Sequence, residues 1–496
     1  MSGLKLQLKT PNGISYEQPT GLFINGEFVK GKSGKTFEVI APYNEEVIAN
    51  ISEAEPVDVD VAVDAAEEAF KTWGHCDTET RARVLFKLAD LIEQKTELFA
   101  AVESWDNGKT IAMATGDVGL VVSTFRNYGG WATKITGDTI ETDADHFTYT
   151  RREPVGVCGM VIPWNFPLLM LSWKIAPALA CGCTMILKSA ESTPLTALLF
   201  ASLLNEAGVP KGVVNIISGY GPAGAALASH SRIHKIAFTG STATGRKIME
   251  SAAKSNVKNI TLELGGKSPN LFFDDCDFDK SVKLALAAIF YNSGEVCSAG
   301  SRVYIQEGIY DKFLAALKTE VEKLKVGSPF DKDNYYGAQT NKLQFDKVMD
   351  YIQKGVEEGA QLVTGGKRIG NKGYYITPTI FADVSHSHTI ATEEIFGPVL
   401  AVFKFKTVDE AIALANSSEY GLGSGIHTES LDRAIYVAHR LRAGSVWVNT
   451  YNDFHPQVPF GGYGTSGIGR ELGKEVLENF TETKAIRIAG ILGGRL

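Results

Sequence analysis

Strand-like and helix-like segments alternate through the middle of the chain. Short runs of apolar, often β-branched residues recur at 155–162, 184–187, 213–217, 233–238 and 260–262. Segments with helical periodicity separate them, such as 195–207, which ends before Gly208. Strands that alternate with helices predict an open, doubly wound parallel sheet, and such sheets bind ligands at the carboxyl ends of their strands.

A second series of the same kind follows from about Gly265. Its strand-like runs are 270–273, 302–306, 399–405, 423–426 and 445–448. Helical segments such as 309–325 and 408–415 lie between them. The predicted fold class is therefore α/β, with two doubly wound parallel-sheet lobes.

The N-terminal third is patterned differently. Residues 1–20 are predicted to form a loose arm, and 22–29 to form a hairpin around Asn25-Gly26. Helical periodicity covers 57–73 and 78–101, with Asp58 or Thr78 as N-caps.

Polar and apolar residues alternate in 133–153, which predicts a small antiparallel ribbon of two exposed strands. A long exposed ribbon usually needs a partner, because its unpaired edge promotes aggregation. The pattern leaves two interpretations open, a plain surface hairpin and an element that bridges subunits.

The charge and hydropathy of the chain limit the kinds of binding partner and the cellular location that are expected. The 496 residues carry a net charge of −8, from 49 basic and 57 acidic side chains, without a prominent basic run. Nucleic acid and an anionic membrane are therefore not expected as partners. No apolar stretch is long enough to span a membrane, and the N-terminus lacks a signal core, so a cytoplasmic location is expected. The C-terminal tail 494–496 differs from a peroxisomal signal at its Ser position.

The cysteines and histidines predict neither disulfides nor a metal site. Six cysteines are irregularly spaced and form no Cys-x-x-Cys pair, which is typical of reduced thiols. His230 and His234 stand four residues apart, but no Glu follows the first, as the zinc-protease pattern requires.

One cysteine has unusual neighbours. Cys297 lies in the segment 292–302, Asn-Ser-Gly-Glu-Val-Cys-Ser-Ala-Gly-Ser-Arg, behind a helical segment at 281–291. Small neighbours let a ligand approach the thiol, and polar or electropositive surroundings would favour the nucleophilic thiolate. The segment alone does not separate this hypothesis from a small buried hydrophobe, which is what a free cysteine usually is.

Two Gly-x-Gly-x-x-Gly patterns, at 219–224 and 462–467, lack the strand or the acidic residue of a dinucleotide fingerprint. A better phosphate site is the loop 240–245, between strand 233–238 and a helix predicted to begin near Thr244. Exposed amides and the positive end of a helix favour an anion there, although a plain strand-to-helix turn has the same pattern.

Lys188 and Glu191 follow the strand 184–187. A carboxylate at the end of such a strand accepts hydrogen bonds from ribose hydroxyls and repels a 2′-phosphate, which favours NAD and disfavours NADP. The alternative is a solvated charge pair on a loop.

At 162–167, Ile-Pro-Trp-Asn-Phe-Pro, the chain resembles the NAD(P)-dependent aldehyde dehydrogenase superfamily. Further motifs of that family follow in order, at 238–242, 262–268, 292–302, 394–398, 459–462 and 466–471. The resemblance covers about residues 22–490. Segments 16–24 and 449–454 are most similar to the fungal cytosolic branch that oxidises acetaldehyde.

The resemblance implies roles for five catalytic residues. Cys297 would be the nucleophile that forms a thiohemiacetal and then a thioester. The side-chain amide of Asn165 and the backbone N–H of Cys297 would stabilise the oxyanion. Glu263 would activate the hydrolytic water, and its position between two leucines predicts burial and a raised pKa. Lys174 and Glu471 would form a proton relay from that base.

The resemblance also implies a cofactor site and an apolar tunnel for small aldehydes. The cofactor residues would be Ile162, Trp164, Lys188, Glu191, Gly221, Gly240, Ser241, Gly245, Leu264, Gln344, Glu394 and Phe396. The tunnel would be lined by Phe166, Met170, Trp173, Phe454 and Phe460.

The resemblance further implies a domain division and an assembly. Residues 1–132 and 154–264 would form the dinucleotide-binding domain, 265–470 the catalytic domain, and 133–153 with 478–496 an oligomerisation ribbon. The family forms homodimers or homotetramers, and the sequence does not decide between them.

Several positions depart from the family pattern. Glu295 stands where Gln is usual, and a carboxylate there would oppose formation of the thiolate unless it points away. Ser189 replaces a usual Pro, Gly464 a common Lys, and the loop 219–224 is one residue short.

Three alternatives to hydrolytic oxidation of small aldehydes remain. A specialised substrate of the betaine-aldehyde or semialdehyde type is one. An acylating enzyme that passes the thioester to coenzyme A is another, although such relatives usually lack the base at Glu263. The last is a non-catalytic binding or structural relative, against which the joint presence of Cys297, Glu263 and Asn165 argues.

Overall fold

The computed structural model describes residues 4–490, and the predicted tail at 494–496 lies outside them. Its helices are α1 (Pro56–Trp73), α2 (Thr78–Glu93), α3 (Thr96–Asn107), α4 (Ile111–Trp131), α5 (Pro167–Cys181), α6 (Leu195–Leu204), α7 (Gly221–Ser229), α8 (Thr242–Ser255), α9 (Phe278–Phe290), α10 (Tyr310–Val321), α11 (Lys342–Glu357), α12 (Thr389–Thr392), α13 (Val408–Ala415) and α14 (Leu431–Ala438).

The strands are β1 (Lys5–Lys9), β2 (Ser15–Pro19), β3 (Leu22–Ile24), β4 (Glu27–Val29), β5 (Thr36–Ala41), β6 (Glu46–Ser52), β7 (Thr139–Ile140), β8 (His146–Pro154), β9 (Val157–Val161), β10 (Thr184–Ser189), β11 (Val214–Ser218), β12 (Lys235–Thr239), β13 (Asn259–Glu263), β14 (Pro269–Phe272), β15 (Arg302–Gln306), β16 (Gln361–Thr364), β17 (Thr379–Ala382), β18 (Val399–Phe405), β19 (Gly423–His427), β20 (Ser445–Val448), β21 (Gly467–Ile468) and β22 (Thr481–Ala489).

The first large sheet has the strand order β21-β13-β12-β9-β10-β11-β3-β4. Its five central strands are parallel, which confirms the predicted strands between 155 and 262. These strands are almost fully buried, as expected of a parallel sheet covered by helices. The hairpin β3–β4, predicted around Asn25-Gly26, extends one edge.

The other edge of this sheet determines how the candidate site is assembled. Strand β21 pairs with β13 so that Gly467 lies opposite Glu263, although about 200 residues separate them. The sequence analysis did not predict this two-residue strand. It brings the 460–471 segment back to the carboxyl end of the first sheet.

The second large sheet has the order β16-β17-β18-β15-β14-β19-β20. Its strands are parallel except for β16, which confirms the second predicted series. The edge strand β16 and its neighbour β17 were not predicted. The predicted α/β fold class with two parallel-sheet lobes is confirmed.

A separate three-stranded antiparallel sheet has the order β22-β8-β7. Strand β22 pairs along the whole of β8, from Thr481 opposite Pro154 to Ala489 opposite His146. The predicted antiparallel ribbon near 133–153 therefore exists, but its main partner is the C-terminal strand, because β7 spans only two residues. The described part of the predicted C-terminal ribbon segment ends at residue 490.

Two predictions for the N-terminal region are wrong. The described part of the predicted loose arm at 1–20 is ordered instead, because β1 and β2 form a hairpin in which Lys5 lies opposite Pro19. The hairpin is anchored by Gln18, a fully buried side chain that donates a hydrogen bond to the carbonyl of Leu195. A polar side chain buried in this way gives no apolar signal in the sequence.

The prediction of a single helix at 78–101 is also wrong, because α2 ends at Glu93 and α3 begins at Thr96. The N-caps differ from those predicted as well. Glu55 is the N-cap residue of α1, and its backbone N–H donates a hydrogen bond of 2.9 Å to the Asp58 carboxylate. Asp77 is the N-cap residue of α2. Among residues 4–490, no helix combines the length and the apolar composition needed to cross a membrane.

Candidate active site

A cavity of about 270 Å³ opens at the carboxyl ends of the parallel strands. Cys297, Glu263 and Asn165 all line it, although they come from distant parts of the chain. Within residues 4–490, no group of three or more His, Cys, Asp or Glu side chains is arranged to hold a metal ion.

The segment before Cys297 has an unusual backbone. Helix α9 ends at Phe290, and the next residues include three in the left-handed region, Asn292 (φ 48°), Ser293 (φ 57°) and Gly294 (φ 75°). A β-carbon on Gly294 would lie 2.2 Å from the carbonyl of Gly397, so only glycine fits there. Such backbone persists only where surrounding contacts hold it.

The thiol of Cys297 is partly exposed in the cavity wall, and its electrostatic surroundings are acidic. Burial raises its pKa, and the carboxyl groups of Glu263 and Glu394 raise it further. These carboxyl groups disfavour the thiolate form of Cys297. The thiol needs a base, and the Glu263 carboxyl group, which acts on the pKa of the thiol, lies in the same cavity wall.

Glu263 is the last residue of β13 and is only 4% exposed. Burial, and next the charge of Glu471, raise its pKa to about 8, while the ammonium of Lys174 opposes this shift. Its Oε1 has no hydrogen-bond partner among residues 4–490. The predicted burial and raised pKa of Glu263 are confirmed, and a carboxyl group of this kind exchanges protons near neutral pH.

Asn165 lies just before α5 and is buried. Its Nδ2 donates a hydrogen bond of 2.9 Å to the backbone carbonyl of Glu295, two residues before the thiol. An amide nitrogen carries two hydrogens, so the second one is left for a ligand in the cavity.

Lys174 and Glu471 form a buried ion pair with 2.7 Å between Nζ and Oε1. Lys174 belongs to α5, and Glu471 is held by two backbone hydrogen bonds to Phe460. Both charges act on the pKa of Glu263, which places the pair beside it. Neither side chain lines the cavity itself.

Glu295 points away from the thiol. Its carboxyl oxygens accept hydrogen bonds from the backbone N–H and the hydroxyl of Thr340, at 3.0 and 2.8 Å. Burial raises its pKa to about 8, which these hydrogen bonds partly offset. It is absent from the groups that raise the pKa of Cys297, so this departure from the family pattern does not oppose the thiolate.

The residues predicted for the cofactor fall into two groups. Those that line the same cavity as Cys297 are Trp164, Gly240, Ser241, Gln344, Glu394 and Phe396. Glu394 accepts a hydrogen bond from the N–H of Gly266 at 3.0 Å, and Gln344 donates one to the carbonyl of Phe396 at 2.7 Å. Phe396 itself has a left-handed backbone (φ 62°) and meets Trp164 edge to face.

The other predicted cofactor residues do not line this cavity; they are Ile162, Lys188, Glu191, Gly221, Gly245 and Leu264. Ile162 and Lys188 are joined by a backbone hydrogen bond at the ends of β9 and β10, and the Lys188 ammonium is 3.8 Å from the Glu191 carboxylate. Ile162, Lys188 and Glu191 thus lie at the carboxyl ends of the central strands β9 and β10, outside the cavity.

Two helices begin at the same end of the first sheet, and both starts differ from the sequence prediction. Helix α8 begins at Thr242, two residues before the predicted start, with the Ser241 hydroxyl as N-cap accepting from the Thr244 N–H. Helix α7 begins at Gly221, so the second half of the 219–224 glycine pattern is helical.

The five predicted tunnel residues all line the cavity. Trp173, Phe454 and Phe460 pack against one another, with ring centroids 5.2 to 6.0 Å apart. The sequence analysis missed other residues of the wall, among them Asp117, Leu120, Leu169, Tyr291, Val296, Lys347 and Asn452. Asp117 and Leu120 lie on α4, whose helical pattern gives no sign of which face meets the cavity.

Comparisons with known proteins agree with this geometry. A sequence model of the aldehyde dehydrogenase family matches residues 28–486. An aldehyde dehydrogenase of Davidiella tassiana is 56% identical over 485 residues, 97% of this chain and 98% of its own. Human retinal dehydrogenase 2 is 48% identical over 97% of this chain and 93% of its own.

Solved structures show the same fold. The NAD+ complex of an aldehyde dehydrogenase from Bacillus cereus superposes with a TM-score of 0.94 at 47% identity, covering 95% of this chain and 96% of its own. Betaine aldehyde dehydrogenase from Staphylococcus aureus in complex with NAD+ also gives a TM-score of 0.94, at 40% identity, covering 97% of this chain and 96% of its own. The chain belongs to the aldehyde dehydrogenase family.

Proposed function

We propose that this protein oxidises aldehydes to carboxylic acids with NAD, by covalent catalysis at Cys297. The observation that carries the proposal is the meeting of Cys297, Glu263 and Asn165 in one cavity, with predicted cofactor residues and aromatic tunnel residues in the same wall. A thiol, a base and an amide donor are the groups that acyl transfer through a thioester needs.

Glu263 performs the proton transfers. Placed in the same cavity wall as the thiol, it accepts the proton as Cys297 sulfur attacks the aldehyde carbon to form a thiohemiacetal. The free hydrogen of the Asn165 amide and the backbone N–H of Cys297 stabilise the resulting oxyanion. After loss of hydride the sulfur carries a thioester, and Glu263 then activates the water that releases the acid. The Lys174–Glu471 pair relays the proton outward.

NAD, when bound, supplies the acceptor for the hydride. The residues present fit this group, because Gly240 and Ser241 expose backbone at the positive end of α8, where a pyrophosphate is favoured. Glu394 and Phe396 both line the cavity, where the carboxyl group of Glu394 would hold the nicotinamide ribose and Phe396 would border the nicotinamide. The partly exposed Glu191 accepts from the adenosine ribose hydroxyls and repels a 2′-phosphate, which favours NAD over NADP.

The substrate is a small or medium aldehyde, because the tunnel wall is largely aromatic and aliphatic. Acetaldehyde is the first candidate, from the resemblance to the fungal branch. A betaine-type aldehyde is the second candidate. The mutual packing of Trp173, Phe454 and Phe460 provides aromatic faces of the kind that bind a quaternary ammonium group, and a related structure is named betaine aldehyde dehydrogenase.

The proposed assembly is a cytoplasmic homodimer or homotetramer. Its contacts would be made by the ribbon of β7, β8 and β22, in which β22 is an edge strand nine residues long with largely exposed side chains. The proposed domain division, with residues 1–132 and 154–264 binding the dinucleotide and 265–470 completing the active site, follows the two large sheets except at β21, which lies within 265–470 but belongs to the first sheet.

The test is formation of NADH from acetaldehyde in the absence of coenzyme A, followed at 340 nm, with NADP and betaine aldehyde as comparison substrates. We expect activity with NAD that does not require coenzyme A. Cys297→Ala should abolish it and leave NAD binding intact, because the thiol takes part only in chemistry. Cys276→Ala is the matched control, since Cys276 is also a half-buried free thiol but lies outside the cavity.

Two outcomes would contradict the proposal in different ways. A strict requirement for coenzyme A would identify an acylating enzyme. If the protein binds NAD but forms NADH with none of the aldehydes tested, a binding or structural role would be favoured.

A further inference from the structure

The amide of Asn165 belongs to a closed ring of hydrogen bonds that extends away from the cavity. Its Nδ2 donates to the Glu295 carbonyl at 2.9 Å, and the Glu295 carboxylate accepts from the Thr340 hydroxyl at 2.8 Å. Asn107 donates from its Nδ2 to the Thr340 hydroxyl and to the Asn165 carbonyl, at 3.3 Å each, which closes the ring. All four residues are buried.

The hydrogen bonds of the ring form two branches, which both start at the Asn107 amide and end at Glu295. The Asn107 amide donates to the Thr340 oxygen, and the Thr340 hydroxyl then donates its own hydrogen to the Glu295 carboxylate. The Thr340 backbone N–H occupies the other carboxylate oxygen at 3.0 Å. Both oxygens of Glu295 thus have a hydrogen-bond partner in one residue, and a buried polar group left without such partners is costly.

A second observation shows why the site needs this support. The left-handed residues 292–294 lead directly into Glu295 and Cys297, and a strained segment keeps its shape only through tertiary contacts. The loop before α11 supplies several, since Gln339 also donates to the Ser293 carbonyl at 3.0 Å. Within this loop, Thr340 is the residue that holds the Glu295 side chain.

We propose that Thr340 is a positioning residue, which fixes Glu295 and through it sets the direction of the Asn165 amide toward the reacting carbonyl. Thr340 is buried and does not line the cavity, so it does not contact the reacting aldehyde. The proposal rests on the proposed function, because it assigns Thr340 a part in stabilising the oxyanion of that reaction.

Thr340→Val removes the hydroxyl and keeps the shape and the backbone N–H. Oxyanion stabilisation depends on placement within about 1 Å, so we expect kcat for aldehyde oxidation to fall roughly tenfold or more. The KM for NAD should stay at its wild-type value. Thr340→Ser restores the hydroxyl and should restore kcat. Thr184→Val is the matched control, because its buried hydroxyl donates to the Ala66 carbonyl in a remote part of the first sheet.

A double-mutant cycle with Asn165→Ala separates positioning from a general loss of structure. If Thr340 acts through the Asn165 amide, Thr340→Val should leave kcat unchanged once that amide is removed. The proposal would be overturned if Thr340→Val lowered kcat by the same factor in the wild-type and the Asn165→Ala backgrounds. A Thr340→Val protein with wild-type kcat would also overturn it. Thr340→Ala enters the same cycle if Thr340→Val fails to fold, as judged by circular dichroism and NAD binding. Failure of the proposed function is recognised separately, because the wild-type protein would then form no NADH.

Discussion

Among the single residues, Glu263 has the strongest influence on how the protein responds to pH. Its carboxyl group is buried next to Cys297, and burial together with Glu471 raises its pKa to about 8. As a base it must be deprotonated, so activity limited by this step should rise with pH through that value.

Glu263→Gln keeps the size of the side chain but removes the base. We expect steady-state turnover to fall by about 100-fold or more, because general-base activation of water is lost. A limb of the pH profile near pH 8 should disappear with it. Rapid-mixing measurements of NADH, together with acid release, test this, and unchanged steady-state turnover would contradict the role of Glu263 as the base.

The same substitution has a consequence for stability that does not depend on activity. The pKa of Glu263 is higher in the folded protein, about 8, than its ordinary value of 4.5, so the folded state holds the proton more tightly. The stabilisation from the neutral carboxyl group is complete below pH 4.5 and is lost as the pH rises to about 8. The Tm of Glu263→Gln relative to wild type should therefore increase over this range, as measured by calorimetry.

Among the secondary-structure elements, α8 has the most direct link to the cofactor. Ser241 is its N-cap and also lines the cavity. One side chain therefore caps the start of the helix and faces the proposed pyrophosphate site. Helix α14 offers a comparison, because Ser430 caps it with the same 3.2 Å geometry as Ser241 and lies outside the cavity.

Ser241→Ala and Ser430→Ala should each lower the free energy of unfolding by about 1 kcal/mol, the usual cost of losing a serine N-cap. Only Ser241→Ala should also weaken NAD binding, because only that helix end faces the proposed pyrophosphate site. Urea denaturation and calorimetric titration with NAD measure the two effects. Equal NAD affinities in the two variants would contradict the placement of the pyrophosphate.

At the scale of the whole molecule, the ribbon of β7, β8 and β22 is the proposed contact between subunits. It exposes two large apolar side chains, Ile140 at 43% and Phe147 at 37%, on strands that contact solvent in the single chain. Exposed apolar groups on an unpaired strand edge are typical of protein interfaces.

The double variant Ile140→Glu/Phe147→Glu should therefore shift the protein to a smaller assembly in light scattering, because charges would be buried at the contact. Val257→Glu is the control, since Val257 is a fully exposed apolar residue outside the ribbon. An unchanged mass of the double variant would rule out the ribbon as the contact.

The sequence by itself determined the α/β class, the central strands of both sheets and the motifs that contain Cys297, Glu263 and Asn165. These features are local, because buried parallel strands appear as short apolar runs and motif residues stand at fixed spacing. The hairpin β1–β2 escaped detection because Gln18, its fully buried anchor, is polar. The break between α2 and α3 escaped because apolar periodicity continues across it.

The tertiary structure decided the surroundings of the thiol. Cys297 lies among carboxyl groups instead of cations, because β13 and the 394–396 segment place Glu263 and Glu394 near it. It also decided that Glu295 points toward Thr340, and that Gly467 pairs with Glu263. Such contacts join residues from about 45 to 200 positions apart. Local patterns carry no information about pairs at that separation, since chain packing alone brings them together.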